Sequence, residues 1–568
     1  MPTTNPGNSH NRYLRFAELE AVLQARVESH PQLLRIESLG KSREGRDLWV
    51  ITATDFSTGP AEHKPALWID GNIHATEVSG STACLHFLDR IVEGFGTDEA
   101  ITHALRTRTF YVAPRLSPDG AERFLSDSPK LLRSNVHPFP YDEEPVEGYT
   151  VEDINGDGKI LQMRIPDANG GWKAHPKEPR LLIRRQPDDY GGTYYRILPE
   201  GRVRGFDGVT LHPAKVRERL DLNRNFPTEW RPHPEQEGAG RFPTSEPEVR
   251  AMVEFITRHR NIGAGVSFHT FSGVLLRPPS TKAEDSLPAE DLRIYRMMGE
   301  KGTTLTGYPA IPTYPDFQYS PDEVITGTFD WLYEIEGAFC WTVEIWSPQR
   351  AAGIPEVNPI AWFREHPPED DLALLRWSDR ELAGQGYETW RSYDHPELGP
   401  VEIGGWNFPL AFRNPPPHLL AEEVARFPAW LVWQARLLPV LEEHSHRVTD
   451  LGNHTWQIEW VVQNGGHLPT DVSALARKRN LVRGVVAEIE IPLGAILLQG
   501  KPREEFGQWA GRSHLHASSW GPFGNPTEDR RKLTWIVRLP DQSKTELPCR
   551  VFHERAGRLQ RTFTLGSA

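Results

Sequence analysis

Cysteine is almost absent from this chain. Cys84, Cys340 and Cys549 are the only three in 568 residues, and they lie far apart. Without a CxxC pair, a zinc finger and a disulfide framework are both excluded as organising devices. Long apolar runs are also missing. No stretch approaches the ~20 residues that span a bilayer, and the opening "MPTTNPGNSHNRYLRF" has no apolar core of a secretory signal. A cytoplasmic protein without a membrane partner is therefore expected. Positive charge is in the minority, with 64 Lys and Arg against 77 Asp and Glu, a net charge of −13. That balance argues against nucleic acid as a partner. Repeats and low-complexity tracts are not seen.

What is present is the composition of a globular protein, 38% hydrophobic and 25% charged. At ~100–200 residues per domain, the length predicts more than one core. Residues 13–27 carry apolar side chains at helical spacing, and "LLRIESLG" and "DLWVITATD" read as a hairpin of strands. "PALWID", "TFYVAPR", "GAGVSFH" and "FCWTVEIW" are apolar runs of the kind found in strands buried on both faces. Helical patterns separate them, and Ser245 with Glu248 reads as a capping box ahead of "VRAMVEFITRH". This alternation predicts an α/β domain with a mixed sheet over residues 1–446. Residues 120–245, rich in Pro, Gly, Asp and Arg, read as inserted loops and hairpins. "FPAWLVWQARLLPVLEEH" reads as the last helix of that domain. Short strands separated by Gly, Pro and Asn then predict a β-sandwich over 447–568.

Within the first domain, "GNIHATEVSG" places His74 and Glu77 three positions apart, directly after a strand. On spacing alone, the commoner explanation is an acidic first helical turn, which the macrodipole favours. His269 in "GVSFHTFSG" and Glu344 in "WTVEIW" close two further strands. Two imidazoles and a carboxylate form a catalytic zinc set with one position left open. A carboxylate inside a strand as apolar as "FCWTVEIW" is costly to bury without a partner.

"HATE", "DLNRNF", "VSFHTFSG" and "GTFDWLYEIEGAFCWTVEIW" occur in the order of the zinc carboxypeptidase family, which this chain resembles over residues 10–440. "SLGKSREGRDLWVITATD" is similar to that family's first hairpin. The resemblance implies an eight-stranded mixed sheet between helices and one zinc per chain, held by His74, Glu77 and His269. It implies Glu344 as general base, and Asn223 and Arg224 as the grip on a substrate's C-terminal carboxylate. The arginine that meets the oxyanion lies upstream of the Asn-Arg pair in the family. Arg164 in "KILQMRIPD" is the choice here, with Arg184 and Arg185 as rivals.

Two departures stand out. Thr76 occupies the place where the family often has an arginine, and Asp322 the place of its mobile tyrosine, for which Tyr319 is the nearest substitute. The resemblance places Phe329 at the floor of the pocket for the C-terminal side chain, which implies an apolar preference, with Asp322 and Glu323 as a competing acidic signal.

The expected activity is that of a zinc-dependent metallocarboxypeptidase hydrolysing C-terminal peptide bonds of a peptide substrate. An amidase or deglutamylase of the same family, or an inactive binding protein working through the sandwich, are the alternatives. Asp153, Asn155 and Asp157 match half of a calcium loop, but Arg164 stands at the twelfth position and excludes an EF-hand. A reduced Ca2+ loop and a plain Asp-Gly turn remain as readings of that stretch.

Overall fold

The computed structural model describes residues 10–318, 320, 323–355, 358–514 and 525–566. Eight strands form the central sheet: β1 (Leu34–Lys41), β2 (Asp47–Ala53), β3 (Ala66–Gly71), β4 (Thr109–Ala113), β5 (Ile262–Thr270), β6 (Val274–Arg277), β7 (Ala310–Pro312) and β8 (Phe339–Ile345). Their order is β1-β2-β4-β3-β5-β8-β6-β7, and the central four, β4, β3, β5 and β8, run parallel. Every residue of β3, β5 and β8 is buried, as the apolar runs require for strands covered on both faces. Alternation within β3 divides the core. Leu67 and Ile69 join one cluster with the helices Ser79–Gly94, Ala289–Thr306 and Pro428–Leu437. Ala66 and Trp68 join a second with the helix Pro247–Arg258. The sheet is therefore sandwiched between helices, as the resemblance implied.

The expected capping box does not form. The helix begins one residue later, with Glu246 at the N-cap and Pro247 in the first turn. Pro247, with its fixed φ and no N–H, suits the first helical position and so puts the N-cap at Glu246, while Ser245 Oγ donates to Glu246 Oε1.

The inserted segment holds more regular structure than its composition suggests. Gln162–Pro166, Trp172–His175, Glu178–Arg184 and Tyr194–Pro199 build a six-stranded sheet with the hairpin Tyr387–His395 and Gly399–Trp406.

The C-terminal region forms two four-stranded sheets around Trp460, Trp535, Val551 and Phe563. Its first strand, Leu441–Gly452, starts earlier than residue 447, because "VLEEH" leaves the helix after Leu437 and pairs with Thr455–Asn464. The sandwich is welded to the α/β body. Leu468 and Val472 sit in the main core cluster. Asp291 of the body caps the backbone N–H groups of Ala474 and Leu475 at 2.7 and 3.0 Å. Arg555, 1% exposed, donates to the carbonyls of Glu336, Gly337 and Asp471. Arg555→Met is expected to orphan these three buried acceptors and lower stability by about 2–4 kcal/mol, read as a shift of the urea unfolding midpoint. An unchanged midpoint would show that the two regions do not rely on this clamp. Among the described residues, no helix is long and apolar enough to cross a membrane.

Candidate metal centre and active site

Parallel strands deliver functional side chains at their carboxyl ends. β3 ends at Gly71 and feeds a tight turn that carries His74 and Glu77 into the helix Ser79–Gly94. His269 closes the neighbouring β5, and Glu344 lies opposite it in register on β8. His74 Nδ1 stands 3.1 Å from His269 Nδ1 and 3.1 Å from Glu77 Oε1. Glu77 Oε2 is 3.2 Å from His269 Nδ1 and accepts the backbone N–H of Thr270 at 3.1 Å. Among the described residues this is the one His/Cys/Asp/Glu group whose ligand atoms converge.

The spacing fits a metal ion. Ligands at 2.0–2.1 Å from a tetrahedral zinc lie ~3.3 Å from one another. The far ring atoms explain why both Nδ1 atoms face inward. His74 Nε2 is 3.1 Å from Asp221 Oδ1, and His269 Nε2 is 3.3 Å from Ser267 Oγ, which donates to Asp70 Oδ1 at 2.7 Å. With a proton on each Nε2, both Nδ1 lone pairs point at the same centre, as carboxylate-backed histidine ligands do. Burial alone would raise the Glu77 carboxyl, but the charges and hydrogen bonds of His74 and His269 hold it well below the ordinary range. Burial also lowers His269, in the direction of the neutral ligand form.

Arg133 reaches this cluster from the loop that follows the helix Pro118–Phe124. Its Nη1 is 3.6 Å from Glu77 Oε1, and its Nε donates to Asp221 Oδ2 at 2.8 Å. The loop is sewn down on both sides. Arg133 O accepts from Ala75 N at 2.9 Å, and Ser134 Oγ accepts from Leu222 N at 3.1 Å. Gly120 is needed beneath it, since a Cβ there would lie 1.7 Å from Ser134 O. Burial pushes the Asp221 carboxyl up, yet Arg133, Arg224 and His74 hold it well below the usual carboxylate range.

Asn223 and Arg224 occupy a short helical turn capped by Asp221, which accepts from Asn223 N at 2.8 Å. Asn223 Oδ1 accepts from both Thr328 N and Thr328 Oγ1, at 2.9 and 3.0 Å. That approach requires Gly327, where a Cβ would meet Asn223 Oδ1 at 2.4 Å. Glu344 is 8% exposed. Burial and the neighbouring Glu77 charge push its carboxyl well up, against the pull of Arg133 and Arg413. One cavity of about 830 Å³ brings together His74, Glu77, His269, Glu344, Asn223, Arg224, Arg133, Arg413 and Phe329.

The zinc carboxypeptidase profile matches residues 19–147 and 205–361, half of the chain. The chain belongs to the zinc carboxypeptidase family. The gap in the match, 148–204, contains the inserted strands of the second sheet. A separate profile for a domain of unknown function matches residues 440–564, the C-terminal sandwich. Carboxypeptidase A1 of Sus scrofa is 26% identical over 329 residues, covering 56% of this chain and 59% of its own length. The chain thus spans about three fifths of that relative. Carboxypeptidase B2 of Rattus norvegicus is 24% identical over 390 residues, 63% of this chain and 73% of the relative. The crystal structure of thrombin activatable fibrinolysis inhibitor aligns at 17% identity over 68% of this chain and 78% of that one, with a TM-score of 0.41.

Three expectations for this zinc carboxypeptidase family member need correction or fall away. Arg164 is not at the site. It lies on the second sheet, donates to Glu402 at 2.8 Å and stacks on Tyr195 and Trp390, so the inserted sheet uses it internally. Arg184 and Arg185 likewise stack on Trp172 and Tyr194. Arg133 and Arg413 are the arginines beside Glu77, at 3.6 and 3.5 Å from its Oε1, and "KLLRSN" gave no strand signal that would have singled out Arg133. The Ca2+ reading finds no support. Asp153 accepts from Gly156 N and Gly158 N, Asn155 from Asp157 N, and Asp157 from Lys159 N. These side chains close their own turns instead of converging on an ion. Tyr319 and Asp322 lie outside the described residues. Phe329, 5% exposed, does line the cavity, as does Glu323.

Proposed function

We propose that the protein is a zinc-dependent metallocarboxypeptidase that removes single residues from the C-termini of peptides. The observation that carries this reading is the placement of Arg224 and Asn223 in the same cavity as the His74–Glu77–His269 cluster and Glu344. A planar guanidinium clamps a terminal carboxylate bidentately. That demand separates an exopeptidase from an amidase with no need of a free carboxylate.

A zinc ion bound to His74, Glu77 and His269 supplies Lewis acidity at the scissile carbonyl and makes water a better nucleophile. The chain's own residues do the rest. Glu344 takes the proton from the attacking water and returns it to the leaving amine. Arg133 offers its guanidinium to the developing oxyanion. Asp221 keeps both His74 and Arg133 in position through its two oxygens. Asn223 is fixed by Thr328 and aligns the terminal carboxylate with Arg224.

Product analysis by mass spectrometry on a mixed peptide library tests this. Single C-terminal residues are expected, with loss of activity under a zinc chelator and none on C-terminally amidated peptides. Equal cleavage of amidated peptides would reject the carboxypeptidase reading in favour of an amidase. For side-chain preference, Phe329 lies with Leu276, Phe317 and Ile325 along the cavity wall. Aromatic and large aliphatic C-terminal residues are expected to be preferred, since buried apolar surface contributes about 25 cal/mol per Å². Phe329→Asp should move the preference toward Lys and Arg. A tenfold wild-type preference for basic residues, about 1.4 kcal/mol, would instead place Glu323 in control.

A further inference from the structure

The family profile ends at residue 361, yet the cavity is completed by a later piece of chain. Phe408 and Arg413 line it, together with Phe271, Phe363 and Leu131. The segment carrying them is a π-helical turn over Pro409–Arg413, stapled to the metal-binding turn itself. Asn414 Oδ1 accepts from Ser79 N and Ser79 Oγ, at 3.1 and 3.2 Å, and Asn414 Nδ2 donates to Thr76 O at 2.8 Å. Trp346 Nε1, just beyond β8, donates to Ala411 O at 3.1 Å. The segment is thus held in register with His74, Glu77 and Glu344.

Its two side chains differ in character. Arg413 Nη1 stands 3.5 Å from both Glu77 Oε1 and Thr270 O, while its guanidinium carbon lies 5.2 Å over the Phe271 ring and 5.6 Å over that of Phe408. Phe408 stacks on Phe412 at 5.2 Å and meets Phe271 edge-on at 5.5 Å, yet 37% of it stays exposed inside a cavity. The result is an aromatic shelf with a cation at its inner end, beside the metal cluster.

Direction follows from the other wall. Arg224 and Asn223 belong to the side fixed by Thr328, whereas Arg413 belongs to the side of Thr270 and Phe271. A substrate whose terminal carboxylate sits at Arg224 with its scissile carbonyl at the metal cluster must leave past Arg413. We infer that residues 408–413 form the binding subsite on the amino-terminal side of the scissile bond, with the Phe408–Phe271 shelf taking an apolar or aromatic penultimate side chain and Arg413 donating to the backbone carbonyl of the group that precedes that residue. Thr76 puts no cation on this side of the cluster, and Arg413 brings one from a different part of the chain. The inference rests on the carboxypeptidase reading for its direction.

The test uses the zinc-loaded full-length enzyme and N-blocked peptides that share one C-terminal residue but carry Phe, Leu, Gly or Asp before it. Wild type is expected to prefer penultimate Phe over Gly by tenfold or more in kcat/KM. Phe408→Ala should cut that ratio at least fivefold, mainly through KM and with little change for the Gly peptide. Arg413→Gln should lower kcat/KM tenfold or more on all of the peptides while zinc content stays at one per chain, and Arg413→Lys should restore part of the loss. Peptide binding to zinc-loaded Glu344→Gln, measured by calorimetry, should show the same Phe over Gly preference. Turnover without penultimate preference, or a Phe408→Ala ratio equal to wild type, would overturn the subsite and leave the carboxypeptidase reading standing. Zinc loss in Arg413→Gln, with the activity of the metal-reconstituted variant restored, would overturn the carbonyl role and make Arg413 a counter-ion of Glu77. Absence of turnover with preferential binding retained would reject the activity and keep the subsite. Absence of both would reject both.

Discussion

Glu344→Gln is expected to slow C-terminal release by at least about a hundredfold, the low end for loss of a positioned general base, while the zinc content stays at wild-type level. The substitution preserves shape and volume and removes only the capacity to hold a proton. Three features of the site support so large an effect. Glu344 is outside the ligand set, so its loss does not remove a metal bond. It stands in register with His269 on the adjacent strand, so the backbone fixes its distance from the cluster. Burial, with the Glu77 charge beside it, raises its carboxyl well above the ordinary value, which makes the ionised form a stronger base. The measurement is kcat on a peptide with a preferred C-terminus, alongside metal analysis of the same sample. A rate within fivefold of wild type would assign the proton transfer to another group.

The parts of this site that were legible in the sequence share one property: each sits at the end of a strand whose own pattern is strong. β3, β5 and β8 are buried throughout, so their apolar runs announce them, and a His or Glu at such an end stands out from its neighbours. The ligand roles of His74, Glu77 and His269 still needed the resemblance, since spacing alone favoured an acidic first helical turn, and so did Asn223, Arg224 and Phe329, because a short turn and a helix of seven residues carry no periodicity to place them. Arg133 and Arg413 were not legible. Both come from segments without regular strand pattern, and what brings them to Glu77 is a set of long-range hydrogen bonds, from Ala75 to Arg133 and from Asn414 to Thr76. Arg164 misled for the converse reason. It does end a strand-like run, but that strand belongs to the inserted sheet, whose partners Gly399–Trp406 lie far along the chain. The sandwich was visible from its alternating strands, whereas its weld to the body through Arg555 and Asp291 depends on single side chains that composition cannot rank.

The correction at Arg164 yields the second large effect. Arg133→Ala is expected to lower kcat by about 10²–10³-fold, the range for loss of one oxyanion donor, and Arg164→Ala is expected to leave the rate within twofold. The contrast follows from what each guanidinium touches. Arg133 lines the cavity, 3.6 Å from a metal-ligand oxygen, and Asp221 fixes its Nε so that the outer nitrogens face inward. Burial works against its positive charge, but Asp221, Glu77 and Glu344 more than offset this, so it stays cationic throughout the working pH range. Arg164 spends its charge on Glu402 and its planar faces on Tyr195 and Trp390. Arg133→Ala also removes a partner of Asp221, and Asp221 orients His74, so zinc content must be measured on the variant to separate a lost donor from a loosened ligand. Arg133→Lys completes the test. A lysine keeps the charge but cannot hold Asp221 and face the oxyanion from one rigid fork, so its rate should fall between wild type and Arg133→Ala. Equal rates for wild type and Arg133→Ala with full zinc would remove Arg133 from the chemistry and leave Arg413 as the only other arginine beside Glu77 among the described residues.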